Sequence, residues 1–319
     1  MPRHIRFALA AASLVLSAAC SAQAYPSKVV RVIVPFPPGG VDALARVVTT
    51  AMTEVMGQPV VLENRPGANG IIGTELVMRA APDGYTLLVT ASSALVSVLF
   101  MSGAPPFHPA RDFTPIGGMY DGVQTIAVRA GLPVNSVKEL IDHARRNPGK
   151  LTYASSAIGS PFHIYGEAFK RMAGVDILHV PYKGTGPAAR AVIAGEVDIA
   201  FPTFGNLAGS VGRVKVLAIN GPKRYARYPD IPSMNDTLPD FRPIQAAIAL
   251  FGPARLPQPI VMRVNADLLK ALRSPAVKAA LEQQDSVEIG GTPEELADTV
   301  KGIVETTAGL IKLTGIKLE

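Results

Sequence analysis

A loop rich in proline and glycine at residues 35–40, Pro-Phe-Pro-Pro-Gly-Gly, could bind an anion through its backbone. Residues 29–34 before it are mostly β-branched, which predicts a buried strand. Residues 43–56 after it repeat apolar side chains at helical spacing, and Asp42 is placed to cap that helix. The free N–H groups of a helix start attract a carboxylate or a phosphate, and glycine lets a ligand approach the backbone closely. The pattern also fits an ordinary strand–helix turn, and both interpretations stay open.

A second loop of small residues, Ser-Ser-Ala-Ile-Gly-Ser-Pro at residues 155–161, repeats this chemistry. It joins a predicted strand at 151–154 to a predicted helix at 162–173, and proline is favoured in the first turn of a helix. Its hydroxyls and N–H groups could hold another carboxylate. Two opposed helix starts would suit a dicarboxylate, with one carboxylate bound by each loop.

Several side chains near the two loops have two possible roles. His163 either lies beside the ligand or shares a metal ion with Glu167, four residues later, although no third metal ligand is evident. Without a metal, Glu167 is expected to be solvated or to cap the helix. Asp42 either caps its helix or pairs with an amine of the ligand, and Tyr182 either closes over the ligand or packs in a hinge. Phe36 stands between two prolines, which favours a position in the pocket wall.

The candidate ligand-binding residues come from both loops and from neighbouring strand ends. Ser92 is among them because it follows a predicted strand at 85–90, at the edge where open α/β sheets bind ligands. The candidates are Phe36, Pro37, Pro38, Gly39, Gly40, Asp42, Ser92, Ser155, Ser156, Gly159, Ser160, His163 and Tyr182.

The sequence predicts no catalytic residue, no metal site and no cofactor. It contains no G-x-S-x-G elbow, no H-E-x-x-H, no P-loop and no G-x-G-x-x-G after a strand. A binding protein without catalysis is therefore the favoured interpretation. The alternative is a secreted enzyme that acts on a small carboxylate in the same cleft.

The elements that position these residues alternate as β-α-β-α-β in the first part of the chain, which indicates an α/β fold. Residues 102–122 are rich in proline and glycine and are predicted to be an irregular boundary. We predict a discontinuous lobe 1 of residues 25–122 and 222–319, and a lobe 2 of residues 123–221. Each lobe is expected to be a mostly parallel sheet with flanking helices, and the cleft between them to close on a ligand as in type II periplasmic binding proteins.

The N-terminus predicts export. A basic start, an apolar run at residues 7–19 and Ala-Gln-Ala at 22–24 form a signal peptide of residues 1–24, with cleavage after Ala24. Cys20 offers a second possibility, a lipoprotein anchor. It is the only cysteine, so the exported chain has no disulfide. The formal net charge is +6 and the basic residues are scattered, which argues against a nucleic-acid partner.

Seven short motifs occur together along the exported part of the chain. They are Val-Pro-Phe-Pro-Pro-Gly-Gly at 34–40 with Asp42 and Arg46, Glu-Asn-Arg-Pro-Gly-Ala-Asn-Gly at 63–70, Pro-Asp-Gly-Tyr-Thr-Leu at 82–87, Val-Pro-Tyr-Lys-Gly at 180–184, Gly-Glu-Val-Asp at 195–198, Pro-Asp-Ile-Pro-Ser at 229–233 and Thr-Pro-Glu-Glu at 292–295. In this combination the chain resembles the Bug family, the TctC-like solute-binding proteins of tripartite tricarboxylate transporters.

The resemblance implies a periplasmic protein of two lobes that closes like a Venus flytrap on a small carboxylate. It implies that main-chain amides and ordered waters at residues 36–40 and 155–160 hold the ligand carboxylates. The ligand would be a mono-, di- or tricarboxylate or an amino acid. The partner would be the membrane permease of a tripartite tricarboxylate transporter or a sensor protein, and we expect a monomer.

Overall fold

The computed structural model describes residues 25–39, 41–101, 103, 105–210, 212–221, 224–241 and 247–316. The predicted signal peptide with its cleavage site and Cys20 lies outside these residues, as does Gly40 of the first loop. No helix within these ranges is both long enough and apolar enough to cross a bilayer.

The elements alternate between strands and helices over most of the chain. The strands are β1 (Val30–Val34), β2 (Val60–Asn64), β3 (Thr86–Ala91), β4 (Phe113–Gly122), β5 (Thr125–Arg129), β6 (Thr152–Ser155), β7 (Leu178–Pro181), β8 (Ile199–Ala200), β9 (Val214–Ile219), β10 (Ile248–Pro253) and β11 (Ser286–Glu288). The α-helices are α1 (Val41–Met56), α2 (Ile71–Met78), α3 (Ser92–Ser97), α4 (Pro109–Asp112), α5 (Val137–Arg146), α6 (Pro161–Ala173), α7 (Thr185–Ala194), α8 (Gln258–Leu272), α9 (Pro275–Gln283) and α10 (Pro293–Thr314).

The first sheet has the strand order β11-β4-β10-β3-β1-β2. β1 runs parallel to β2 and β3, whereas β10 runs antiparallel to β3 and β4. β1 is buried on both faces, which explains its run of β-branched residues. Val32 packs with Leu44 and Val48 of α1, while Ile33 belongs to the apolar cluster on the opposite face.

The second sheet has the order β7-β6-β8-β5-β9. β6 runs parallel to β7 and β8, and β5 runs antiparallel to β8 and β9. Both sheets are therefore mixed, rather than mostly parallel as predicted. The parallel pairs belong to β-α-β units, and the antiparallel pairs involve the strands on either side of the two chain crossings between the sheets, β4 and β5 at one and β9 and β10 at the other.

The segment predicted as an irregular boundary forms the short helix α4 and the strand β4 of the first sheet. Its glycines conceal the strand in the sequence, but packing requires at least one of them. A Cβ on Gly117 would lie 2.8 Å from the Asn265 Nδ2 atom of α8, which packs against this strand.

The last helix, α10, joins the two halves of the molecule. It packs against β4 of the first sheet and against α6, which flanks the second sheet. Thr292 and Glu295 form a capping box at its start, with Pro293 in the first turn, as the Thr-Pro-Glu-Glu motif indicates.

Candidate functional site

The first loop connects β1 to α1. Pro37, Pro38 and Gly39 are exposed, whereas Phe36 is half-buried. The main-chain oxygen of Phe36 accepts a hydrogen bond from Asn64 Nδ2 at 3.0 Å. Asn64, the last residue of β2, therefore holds the loop at Phe36, and the proline–glycine tip of the loop stays on the surface.

Asp42 does not cap α1, because the helix already begins at Val41. Its carboxylate, only 4% exposed, turns instead toward two side chains. Arg46 donates to Oδ2 from Nε at 2.9 Å and to Oδ1 from Nη2 at 3.0 Å, and Asn64 Nδ2 donates to Oδ1 at 2.7 Å. Arg46 Nη2 also donates to Asn64 Oδ1 at 2.6 Å. The three residues form one closed network, so the carboxylate of Asp42 is already hydrogen-bonded within the protein.

A second ion cluster lies beside this network. Glu63 accepts hydrogen bonds from Arg31 at 2.7 and 3.0 Å and from Arg65 at 2.9 Å. The hydrogen bond from Arg31, with a further one from Arg65, lowers the pKa of the Glu63 carboxyl to about 2. Sequence reasoning missed Asn64 and Arg31, although the Glu-Asn-Arg motif pointed to this turn.

A pocket opens beside the first loop. Phe36 lines it, and Asn69, in the left-handed region at φ 53°, lies on its wall. The other lining residues are Pro35, Gly70, Ile71, Thr74, Thr90, Ala94, Leu95, Val98 and Phe107. The position of Phe36 agrees with its placement between prolines, whereas no local pattern pointed to Asn69 or Thr90 as lining residues.

Ser92 begins α3 at the end of β3, and Ser93 follows it. The two residues are 0% and 2% exposed, and neither Oγ atom has a hydrogen-bond partner within the described part of the chain. The main-chain nitrogen of Ser92 donates to Ala247 O at 2.9 Å, which ties this strand end to the start of β10. Buried hydroxyls without partners are unusual and call for an explanation.

The second loop is held by hydrogen bonds at both ends. The Ser155 hydroxyl donates to Ala157 O at 3.0 Å and lies 2.6 Å from His179 Nε2. Because its single proton is used on Ala157, the imidazole N–H of His179 is the donor to Ser155. At the other end Ser160 caps α6 by accepting from the His163 main-chain nitrogen, and Gly159 N donates to His163 Nδ1 at 3.1 Å.

Two stacked imidazoles lie behind this loop. The rings of His163 and His179 are parallel within 11° with centroids 3.9 Å apart, and Tyr153 stacks on the far side of His179 at 4.9 Å. Burial, with contributions from His163 and Lys170, lowers the pKa of His179 to about 4. Burial also lowers the pKa of His163. The pair is therefore neutral at pH 7, and sequence reasoning missed His179 entirely.

Glu167 is neither solvated nor a helix cap, the two roles expected for it without a metal ion. Its carboxylate accepts from the Tyr153 hydroxyl at 2.8 Å and from Lys170 Nζ at 3.0 Å, because the tyrosine at the sheet surface reaches the helix above it. Within the part of the chain that the structure describes, no three His, Cys, Asp or Glu residues could hold a metal ion.

A second pocket lies beside the second loop. Ser155, Ser156 and Thr185 line it, together with Ala154, Phe162, Ala188, Ala189, Ala200, Phe201 and Pro202. Thr185 starts α7, whose first turn has no side-chain cap. The helix start therefore offers main-chain N–H groups at the pocket, and the sequence did not single it out.

Tyr182 lies on the flank of this loop. Its main-chain nitrogen donates to Ser155 O at 2.9 Å, whereas its half-buried side chain points toward Glu196, with 3.4 Å between the hydroxyl and Oε2.

The two loops belong to different sheets, but the second loop lies close to a segment that follows the first sheet's strand β3. A Cβ on Gly159 would lie 3.5 Å from Cγ of Met101, which follows the helical segment after β3.

Comparison with known proteins agrees with this architecture. The model of the family described as tripartite tricarboxylate transporter family receptor matches residues 44–316. A UPF0065 protein from the tcbD-tcbE intergenic region of Pseudomonas sp. (strain P51) is 36% identical over 293 residues, which cover 90% of this chain and 87% of that protein. Protein BugT of Bordetella pertussis is 32% identical over 309 residues, which cover 95% of this chain and 94% of BugT.

Solved structures show the same fold. R. palustris Rpa4515 with adipate has a TM-score of 0.86 at 29% identity, covering 92% of this chain and 99% of that one. The periplasmic binding protein BugD has a TM-score of 0.84 at 32% identity, with coverages of 92% and 99%. MatC from Rhodopseudomonas palustris with bound malate has a TM-score of 0.83 at 29% identity, with coverages of 90% and 100%. These structures confirm the two-lobed α/β fold of a periplasmic binding protein. The chain belongs to the tripartite tricarboxylate transporter receptor family, which includes the Bug proteins.

Proposed function

We propose that this protein is a periplasmic solute-binding protein that captures a small carboxylate between two lobes. The observation that carries the proposal is the pair of strand–loop–helix sites, one on each sheet, at residues 35–40 before α1 and 155–160 before α6. The uncapped start of α7 beside Ser155 adds further main-chain donors. Each charge-assisted hydrogen bond from such donors contributes about 1.5–3 kcal/mol to binding a carboxylate.

The proposed lobes are residues 25–122 with 222–319, and residues 123–221. In support, the first sheet takes its strands from β1–β4, β10 and β11, and the second takes β5–β9. All thirteen candidate residues named from the sequence stay proposals, with different expected roles. The loop backbones would bind the carboxylates, Phe36 would form the wall, and Asp42 and His163 would support the loops from behind.

The ligand is proposed to be a mono-, di- or tricarboxylate or an amino acid. Adipate in Rpa4515 and malate in MatC support this class, because both are small dicarboxylates held by proteins of the same fold. The family supports delivery to the permease of a tripartite tricarboxylate transporter, and a sensor is the second possible recipient. We propose that the chain is exported to the periplasm as a monomer after cleavage behind Ala24, rather than anchored through Cys20.

An enzyme acting on the same carboxylate is the alternative, and one contact favours it. Ser155 Oγ and His179 Nε2 lie 2.6 Å apart, as in a nucleophile–base pair. Against catalysis, the Ser155 side chain is buried, and the imidazole donates to the hydroxyl instead of accepting its proton. We therefore propose that the pair supports the loop and that the protein is not an enzyme.

The test is a ligand panel of acetate, succinate, adipate, malate, citrate and glutamate, measured by thermal shift and calorimetry on the exported chain. We expect one-to-one binding of at least one acid and a melting temperature that rises with its concentration. Phe36→Ala should weaken that binding, whereas Leu178→Ala, at a residue that is 51% exposed on β7, should leave it unchanged. If none of these acids binds, or if both variants bind like the parent, the proposal is wrong. If the bound acid is consumed on incubation, the enzyme alternative is correct.

A further inference from the structure

Three buried oxygens at one edge of the first sheet have no hydrogen-bond partner among the described residues. They are Ser92 Oγ and Ser93 Oγ at the end of β3, and Asp121 Oδ1 near the end of β4. The strand register places the two strand ends at the same edge of the sheet, on either side of β10. Ala91 and Tyr120 both pair with Ile248 of β10, so the two strand ends flank the start of that strand. Neighbouring strands are ~4.8 Å apart, so the main chains of Ser92 and Asp121 are about 10 Å apart across β10.

Asp121 points away from α1 and toward the second half of the molecule. Tyr120 before it points toward α1, because its hydroxyl donates to Val41 O at 2.6 Å, and side chains alternate along a strand. Gly122 after it contacts the unit built on the second sheet, since a Cβ there would lie 2.6 Å from Thr203 Cγ2. Asp121 therefore lies where the edge of the first sheet meets the other lobe, on the side that the proposed cleft would enclose.

The charge of Asp121 has no counterpart among the residues that the structure describes. None of the ion pairs formed among the described residues includes it. Burial raises the pKa of its carboxyl to about 6, and a hydrogen bond from the Gly122 backbone opposes the rise only in part. Asp121 is part-buried, and its Oδ1 atom is fully buried. A carboxylate oxygen that is removed from water without a donor is costly, and a donor group from outside would relieve that cost.

We infer that Asp121 is a specificity-determining residue, which with Ser92 and Ser93 forms a polar subsite for an ammonium or hydroxyl group on the bound carboxylate. This inference rests on the proposed function. The two helix-start loops would take the carboxylate, and the Asp121 subsite would take a donor at the far end of the ligand. A second carboxylate at that end would meet the negative charge of Asp121 and would be disfavoured. The ligand class is thereby narrowed to amino or hydroxy carboxylates.

The test compares acids of equal length that differ only in the terminal group. The panel is succinate, 4-aminobutyrate and 4-hydroxybutyrate, with adipate and 6-aminohexanoate as a longer pair, measured by calorimetry at pH 7.5. We expect the amino acid of at least one pair to bind about tenfold to a hundredfold more tightly than the matching dicarboxylate, with the hydroxy acid between them. Asp121→Asn should reduce the ratio between the affinities for the amino acid and for the dicarboxylate by about tenfold or more.

The control is Asp230→Asn, which makes the same change of charge at an exposed loop residue and should leave the ratio unchanged. Asp121→Ser is the second variant, and the melting temperature of each variant reports whether it is folded. The inference is wrong if in both pairs the dicarboxylate binds the parent at least as tightly as its amino counterpart, or if both Asp121 variants keep the parent's preference for the amino acid. The proposed function would still stand in those cases. If no acid of either panel binds the parent, the proposed function itself is wrong.

Discussion

The two proposed anion-binding loops share a design but are supported by opposite electrostatics. Behind the first loop, the ionic network of Asp42, Arg46 and Asn64 holds the Phe36 carbonyl. Behind the second loop, neutral rings hold the chain through hydrogen bonds to Ser155 and from Gly159, and those rings stack on Tyr153. A loop that offers only main-chain donors needs rigid support, and this molecule provides that support once with charges and once with aromatic rings.

The comparison predicts that the two loops respond differently to mutation and to acid. The first network depends on an Asp–Arg pair, and removing either partner leaves the other without its counterion. The second support depends on packing and on two imidazoles kept neutral by burial. We therefore expect the first loop to be disturbed by substitutions that remove a charge. We expect the second loop to be disturbed by substitutions that change the ring packing and by protonation of the imidazoles.

The largest effect is expected from Asp42→Ala. It leaves Arg46 and the Asn64 amide without their shared acceptor and frees the Phe36 carbonyl from a fixed partner. About half of the Arg46 side chain is exposed, so solvent screening keeps the cost below that of a fully buried pair. We expect a loss of about 2–3 kcal/mol of unfolding free energy in urea denaturation, with ligand binding at least tenfold weaker by calorimetry.

Asp267→Ala is the matched control for that prediction. Asp267 pairs with Arg263 at 2.7 Å within α8, away from both loops. It should lower stability but leave the affinity of the folded protein unchanged. Equal losses of affinity in the two variants would contradict the special role of the first network.

The sequence predicted the two loops because their signals are local. The strand before each loop, the small residues and Pro161 at a helix start are all read from short windows. It could not predict the supports, since His179 reaches Ser155 across 24 residues and Asn64 reaches Phe36 across 28. The capping role expected for Asp42 was wrong for the same reason. Helix capping is inferred from neighbouring residues, whereas Asn64, which binds the Asp42 carboxylate, is 22 residues away in the sequence.

The fold shows the same division between local and distant information. The β-α-β units were predicted because hydrophobic periodicity is local, whereas the antiparallel neighbours β4 and β10 depend on how the chain crosses between sheets. β4 was hidden because Pro115, Gly117 and Gly118 contradict strand propensity, and packing against α8 and β11 outweighs that preference.

A smaller effect, confined to the second loop, is expected from Gly166→Ala in α6. A Cβ at this position would overlap Cε2 of Tyr153, the ring that supports His179. The overpacking should cost about 2 kcal/mol in urea denaturation and weaken ligand binding. Gly309→Ala in α10 is the control, because a Cβ there meets nothing within 4 Å, and we expect it to be neutral or to stabilise by about 0.5–1 kcal/mol. If both changes prove neutral, the second support is less rigid than proposed.

His179→Phe should have a smaller effect again. The phenyl ring keeps the stack between Tyr153 and His163, but the donor to Ser155 is lost. We expect a loss of about 1 kcal/mol of stability and a modest decrease in ligand affinity. His179→Gln keeps a donor and loses the ring, so its stability separates the two contributions. If Phe is tolerated and Gln is not, stacking rather than hydrogen bonding supports the loop.

The smallest effect is a pH dependence that belongs to the second loop alone. His179 has a pKa of about 4 in the folded protein and about 6.5 when unfolded, so between these values the unfolded chain binds the extra proton. The stability contributed by the neutral imidazole is fully present above pH 6.5 and is lost as the pH falls toward 4. His163, Lys170 and Glu167 face this ring or its neighbour, and the partial exposure of His179 reduces the effect through solvent screening. Melting temperatures between pH 7 and pH 4.5 should therefore fall less steeply in His179→Phe than in the parent protein.

His143→Phe, on α5, is the control, and its melting temperatures should follow those of the parent. Parallel curves for the parent and His179→Phe would show that the imidazoles do not titrate with unfolding, and that the two loops differ in shape but not in their response to acid.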